Sequence, residues 1–356
     1  VTLAEVLRDE GFQTAALVGN DVYLKQRFKI HQGFETYFSE RTYADRLNKM
    51  AFEWLEERGQ EPFFLFLNYV DTHNPYNARK RPDDPGFLKP GDDRQSFYIY
   101  QDLRPQVLKR EEPYPAETVQ HVTNQYDTAI HVVDEELENL FEKLKQLGLY
   151  DNTLIILTSD HGEYFGEHEL IDHGKDVYQP AVWVPLIIKK PGQHEGEVDE
   201  TIVTSAEIPN LIFQNFPADM AKRGFAQFPL APGAEIALSE NYFTMADDFN
   251  YQPHEQARFN RVRTVVFDWP YKYIHDSSGN HELYDLAKDP EELQNLYATK
   301  TRVGKKMARQ MRSFMDERNT VKEAESVRIP NEQEIESLRA LGYLSDEDDP
   351  RQDAKP

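Results

Sequence analysis

The chain has 356 residues, 39% of them hydrophobic and 12% aromatic, enough to bury one large core and a smaller second one. A formal net charge of −23 argues against nucleic acid as a partner, because phosphate repels such a surface, and makes any local cluster of cationic groups notable. Without a cysteine there are no disulfides or thiolate metal sites, and no apolar run reaches the ~18–20 residues of a membrane-spanning helix.

The chain starts at Val1 and enters a helical pattern directly (Leu3, Val6, Leu7), with no signal peptide in view. We expect an N-terminal truncation. Residues 2–10 read as a helix, and 14–18 as a buried strand stopped by Gly19-Asn20. Leu47, Met50, Ala51, Trp54 and Leu55 mark one face of a helix over 43–58. Pro62 opens an apolar strand, 63–69, which runs into Asp71-Thr72-His73-Asn74-Pro75-Tyr76. Residues 77–118 carry prolines and charges with little periodicity and read as a long loop. A long helix over about 118–147 ends at Gly148; a strand over 153–157, a polar loop, the apolar segment 182–188 and a short helix over 205–216 follow.

Strands alternating with helices predict an α/β fold, a parallel sheet with both faces covered by helices and its strand C-termini along one edge. Open sheets of this kind bind ligands at that edge. Three strand ends carry polar groups there: Gly19-Asn20, Asp71-His73 and Ser159-His161. Residues 1–232 are expected to form this domain. Residues 233–345 read as a small C-terminal antiparallel sheet plus helix, with a hairpin around Trp269-Pro270, a strand at 282–286 and a helix over 303–316 striped by Val303, Met307, Met311 and Phe314. Residues 346–356 have the composition of an acidic, disordered tail.

The chemistry concentrates in Thr158-Ser159-Asp160-His161-Gly162-Glu163. Just past a strand end, Asp160 and His161 can turn toward one ion, and carboxylate plus imidazole suits Mn²⁺, Zn²⁺ or a mixed-ligand Ca²⁺. The same pair also fits a capped turn with a packed histidine. His168, His173 and Lys175 follow closely. A zinc site built from the histidines alone is one reading, although their spacing matches no helical ligand pair. As an anion site, Lys175 supplies a point charge, and His173 supplies a donor or general acid. His73 lies just beyond another strand. Glu163, Glu167 and Glu169 are candidate ligands whose ordinary fate is solvation.

These motifs resemble the sulfatase family of the alkaline phosphatase superfamily. The resemblance rests on 158–163 with Gly166-Glu167-His168, on Tyr178 with 182–187, and on Tyr126-Asp127 with Ile130 and Asp134. It extends to Asp71-His73-Pro75-Tyr76, to 282–286 with Asp289-Pro290 and Asn295-Leu296, and to 338–344. It implies an alkaline-phosphatase-like α/β fold, a mixed, mostly parallel sheet sandwiched by helices, and hydrolysis of a sulfate ester, on a sulfated small molecule or glycan. It implies a divalent metal, most often Ca²⁺, and a formylglycine nucleophile made within a Cys/Ser-x-Pro-Ser-Arg motif. Carried over, Asp160 and His161 would bind metal, and His73, Lys175 and Asn20 would contact substrate. His73, His173 and Lys175 would be catalytic. His173 competes with Lys175, because the family's lysine stands four residues before the tyrosine and Lys175 stands three before Tyr178. No Cys/Ser-x-Pro-Ser-Arg occurs in the chain, so the nucleophile is expected upstream of Val1, and this chain alone is expected to be inactive. His161 replaces the more frequent Asn, as in related phosphonate and phosphodiester hydrolases, which keeps those substrates open. A non-catalytic binding module is the third reading. The family implies a periplasmic or extracellular location; oligomeric state is not implied.

Overall fold

The computed structural model describes residues 1–58, 60–78, 86–89, 94–109, 113–227, 237–243, 259 and 261–318. Helix α1 (Leu3–Asp9) starts on a capping box: Thr2 Oγ1 accepts the Glu5 amide and the Glu5 carboxylate accepts the Thr2 amide. It leads into β1 (Gln13–Val18), whose residues beyond Gln13 are all buried. Next come β2 (Thr36–Ser39), α2 (Ala44–Arg58) and β3 (Phe63–Asn68). These strands form a parallel sheet in the order β2-β1-β3, with Ala16 opposite Tyr37 and Phe66.

The stretch expected to be a long loop contains a helix, α3 (Ser96–Lys109). Its stripe is Ile99, Tyr100, Leu103 and Val107, all buried. The prolines and charges around it hide that spacing. Helix α4 (Ala116–Gln146) follows, then β4 (Ile155–Thr158), the short pair β5 (Tyr164–Phe165) and β6 (Ile171–Asp172), the one-turn α5 (Gln179–Val182) and β7 (Leu186–Lys189). Strand β7 runs antiparallel to β4, with Ile156 opposite Ile188, so its C-terminus leaves the edge where the other strands end. The expectation of one common C-terminal edge holds for β1, β2 and β3 as a group, and β7 departs from it. Leu65 and Leu67 of β3 and Ile155 of β4 rest on one apolar cluster with Trp54, Leu140 and Leu144 of α2 and α4. Among the described residues β3 and β4 share no ladder.

Helices α6 (Ile208–Phe213) and α7 (Ala218–Gln227) pack Phe213 and Met220 against Leu7. The C-terminal sheet is β8 (Ala237–Phe243), β9 (Arg261–Asp268), β10 (Tyr271–Asp276) and β11 (Glu282–Asp285), antiparallel in the order β11-β10-β9-β8. The expected hairpin is present, with Asp268 opposite Tyr271. Helix α8 (Thr301–Arg318) lays Val303, Met307 and Met311 on Val266, Tyr273 and Leu283. On the other face, Val265, Ile274 and Tyr284 join Tyr164, Val177 and Tyr178 in a core shared with the larger unit. The expected boundary at 232, residues 338–344 and the acidic tail lie outside the described residues.

Candidate active site

Strand β4 delivers Ser159, Asp160 and His161 to the surface. Asp160 is 82% exposed; its Oδ1 accepts the His161 amide at 3.1 Å and lies 3.8 Å from His161 Nε2. Ser159 Oγ donates to the His161 carbonyl at 2.6 Å. Gly162 is required by close approach: its amide donates to the Ala181 carbonyl at 2.8 Å, and a Cβ there would sit 2.0 Å from the Pro180 carbonyl oxygen. The turn is thereby fastened to α5.

His73, at the end of the β3 loop, and His173, just past β6, meet His161. The ring centroids are 4.0 Å apart for His161–His173, stacked at 22°, then 4.9 Å for His73–His173 and 6.3 Å for His73–His161. One ring nitrogen of each lies within 4.8 Å of the others. Each ring has its Nδ1 on an oxygen that can only accept: the Gly162 carbonyl for His161 (2.9 Å), the Asn74 carbonyl for His73 (2.6 Å) and the Glu163 carboxylate for His173 (3.0 Å). All three therefore carry a proton on Nδ1, which fixes the orientation of each ring.

The electrostatics separate two of the rings. Burial pushes His73 down to about 4, and the charge of His173 adds to this, so His73 is neutral near pH 7. Burial also opposes charge on His173, but the carboxylates of Asp172 (3.2 Å) and Glu163 override it and raise the imidazole to about 10. His173 is a fixed cation. Burial would raise Asp172, yet Lys175 and His173 hold it well below the usual carboxylate range. The other oxygen of Glu163 accepts the Tyr76 hydroxyl at 2.9 Å, and Tyr76 and Tyr100 share a 2.6 Å bond behind it.

Among the sequence-selected residues, His73, Asp160, His161 and His173 come together. Lys175 turns inward: Nζ donates to Asp172 at 2.9 Å and to the His173 carbonyl at 3.2 Å. His173, one side of the two-way choice left by spacing, is the residue beside His161. Asn20 spends its side-chain oxygen on the amides of Val22 (3.0 Å) and Tyr23 (3.3 Å) and shares no hydrogen bond with the histidines among the described residues. His168 stacks flat on Tyr178 at 3.7 Å instead of joining the cluster. Glu167 and Glu169 are exposed, whereas Glu163 is buried. Sequence reasoning passed over Asp172 altogether; its only signal was an acid set directly before His173-Gly174-Lys175.

A family model described as Sulfatase matches residues 1–216, well over half of the chain. The chain belongs to the sulfatase family. A second model, N-sulphoglucosamine sulphohydrolase, C-terminal, matches 166–321. The multifunctional alkaline phosphatase superfamily protein PehA of Trinickia caryophylli is 28% identical over 293 residues, 73% of this chain and 55% of that protein. The uncharacterized sulfatase YidJ of Escherichia coli K12 is 27% identical over 267 residues, 72% of this chain and 51% of YidJ. The chain thus spans about half the length of these curated relatives. The crystal structure of the phosphonate monoester hydrolase of Agrobacterium radiobacter superposes with a TM-score of 0.63 at 18% identity, covering 89% of this chain and 80% of that one. BT4656 in complex with its substrate D-glucosamine-2-N,6-O-disulfate superposes at 0.60 and 18% identity, covering 89% and 81%. At these identities the likeness establishes the alkaline-phosphatase-like fold.

Proposed function

We propose that the protein to which this chain belongs is a sulfuric ester hydrolase acting on a sulfated small molecule or glycan, outside the cytoplasm. Its nucleophile, a formylglycine, is supplied by sequence upstream of Val1. The observation that carries the reading is the stacking of His173, held between the carboxylates of Asp172 and Glu163, on His161 beside Asp160, at a strand end.

The donor set suits a divalent metal. His161 has its Nδ1 proton tied to the Gly162 carbonyl, and its Nε2 lies near an Asp160 carboxylate that is open to solvent. Asp160 and His161 would hold the ion, with Ca²⁺ the first choice and Mn²⁺ or Zn²⁺ also suited to a mixed oxygen–nitrogen set. When bound, the ion acts as a Lewis acid on the ester oxygens. The chain's own residues do the rest. His173 offsets the negative charge that builds on the sulfuryl oxygens, in a place where burial strengthens the interaction. His73 is held down partly by the charge of His173, so an anionic ester between the two raises it toward its ordinary range, where it can protonate a leaving alkoxide. Lys175 acts from behind, by holding Asp172 against His173.

A second reading, phosphonate or phosphodiester hydrolysis, draws on His161 in place of the family's more frequent Asn and on the fold likeness to phosphonate monoester hydrolases. The test joins the native upstream sequence to this chain and compares an aryl sulfate, a phenylphosphonate ester and an aryl phosphodiester, with metal analysis of the same preparations. We expect the sulfate to be turned over fastest, and Asp160→Asn to lose both metal and turnover. Unchanged rates in Asp160→Asn would sink the ligand assignment. Aryl sulfate turnover by residues 1–356 alone would refute the upstream nucleophile.

A further inference from the structure

The C-terminal sheet grips the segment that carries His173 and Lys175. Asp176, the next residue, is buried, and two arginines of β9 take its two oxygens: Arg263 Nη1 lies 2.9 Å from Oδ1 and Arg261 Nη2 3.0 Å from Oδ2. Arg263 is itself buried. Its remaining nitrogens reach Asp276 Oδ2 at 3.0 Å and Glu282 Oε1, and its guanidinium lies 5.4 Å from the ring centroid of Tyr178. The Tyr178 hydroxyl donates to Glu282 at 2.9 Å. The Gln179 amide donates to Glu292 at 2.6 Å, and Glu292 is paired with Lys272 of β10. Positions 176, 178 and 179 are therefore all fastened to the C-terminal sheet or the turn that follows it.

The segment just before them has no ladder of its own between β6 and α5. Asp172, which ends β6 opposite Tyr164, and Gly174 within the segment have φ of 63° and 73°, and the left-handed region is one that a non-glycine residue such as Asp172 leaves when its surroundings release it. A planar fork serving three carboxylates sets direction as well as charge, which a single ammonium cannot do. Only Gly174 and Lys175 lie between His173 and the Asp176 that the fork holds, too short a tether to absorb a shift of the anchor.

We infer that Arg263 is a positioning residue for the oxyanion side of the site: through Asp176 it fixes His173 against His161 and His73. The inference deepens the proposed function and rests on it for its kinetic consequence. Its structural core, an arginine of the C-terminal sheet setting the place of a ring three residues from its carboxylate, does not.

The test uses Arg263→Lys and Asp176→Asn in the protein with its upstream sequence. Fold is checked by thermal unfolding, and His173 is read by its ring NMR signals, including the Nδ1 proton bonded to carboxylate. In the folded variants we expect that proton signal to weaken or move upfield and the His161–His173 ring contact to be lost. kcat/KM for the aryl sulfate should fall roughly 10- to 100-fold, mostly in kcat, the scale of a misplacement of about 1 Å. His173 signals unchanged in a folded Arg263→Lys protein would overturn the inference, whatever the rates. Displaced His173 signals in a protein whose wild type hydrolyses no ester would uphold the inference while removing the proposed function. If Arg263→Lys does not fold, Asp176→Asn decides in the same way, since it leaves one uncharged acceptor oxygen for the two arginines and keeps Arg263 paired with Asp276 and Glu282.

Discussion

Lys272→Met is the sharpest test of how the C-terminal sheet is held to the rest. Lys272 and Glu292 are both buried, with Nζ 2.6 Å from Oε1. Methionine keeps most of the stem's volume, so little cavity is made, and the main loss is the ammonium. Glu292 keeps one strong partner, the Gln179 amide. Removing one member of a buried ion pair costs about 3–5 kcal/mol. Burial already raises Glu292 above its ordinary value while Lys272 opposes the shift. Without Lys272 the carboxyl is raised further. A raised folded-state value means stability that is present in full below the unfolded value of 4.5 and lost as pH rises through the folded one. The variant should therefore approach wild type near pH 4 and fall behind by about 3 kcal/mol near pH 8. Lys272→Met/Glu292→Gln, which removes the stranded charge and keeps an acceptor for Gln179, should recover to within about 1 kcal/mol. Urea midpoints at both pH values, with hydrogen exchange of the β9–β10 amides, measure this. A single variant within about 0.5 kcal/mol of wild type at pH 8, or a double variant no better than the single, would refute the reasoning.

Gly162→Ala should leave the sheets folded but displace the Asp160–His161 turn from α5, because its Cβ would meet the Pro180 oxygen at 2.0 Å; metal titration by calorimetry should show the loss. Glu163→Gln removes a carboxylate from His173, which sits at about 10 in the wild type against an ordinary 6.5. That raised value contributes stability fully present below 6.5 and lost as pH climbs toward 10, so the variant's stability should decline over a narrower, lower window when unfolding is followed from pH 6 to 10. His73 has the opposite sign: with a folded value of about 4, the wild type should lose stability as pH falls from 6.5 to 4, and His73→Gln should flatten that limb. Met307→Ala, at a fully buried position between α8 and the sheet, should cost about 2–5 kcal/mol in local unfolding of the C-terminal sheet by hydrogen exchange.

The parts of the site legible in the sequence are those whose signal is local. A strand followed by Asp160-His161-Gly162 declares itself because the apolar run, the two donor side chains and the glycine are contiguous. Which of His173 and Lys175 lies beside His161 was not legible. The left-handed backbone at Asp172 and Gly174 accompanies a His173 ring stacked on His161 and a Lys175 folded back on Asp172. Hydrophobic periodicity carries no record of such a twist. Helix α3 was missed for a related reason: its buried stripe of Ile99, Tyr100, Leu103 and Val107 is interrupted by polar residues and Pro105, so the propensity signal and the packing disagree. The four-residue β2 has no buried residue to betray it, and only its pairing with β1 defines it.

What lies behind the site is less legible still, and for a physical reason. Groups that touch a reacting atom are limited to a few residue types at a strand end, so their order in the chain is constrained. A buried carboxylate such as Asp176 needs only a donor of the right shape somewhere in space, and Arg263 answers it from 87 residues away. Glu163 finds Tyr76 across the same kind of gap. The carboxylates beside His173, Asp172 and Glu163, are near it in the chain, but the groups behind them, Tyr76, Tyr100 and Arg263, are scattered among the β3 loop, α3 and the C-terminal sheet. That scatter ties the small C-terminal sheet to residues 176–179 of the larger unit, since Asp176, Arg263, Asp276 and Glu292 are buried and cannot be exchanged for water without moving the loop.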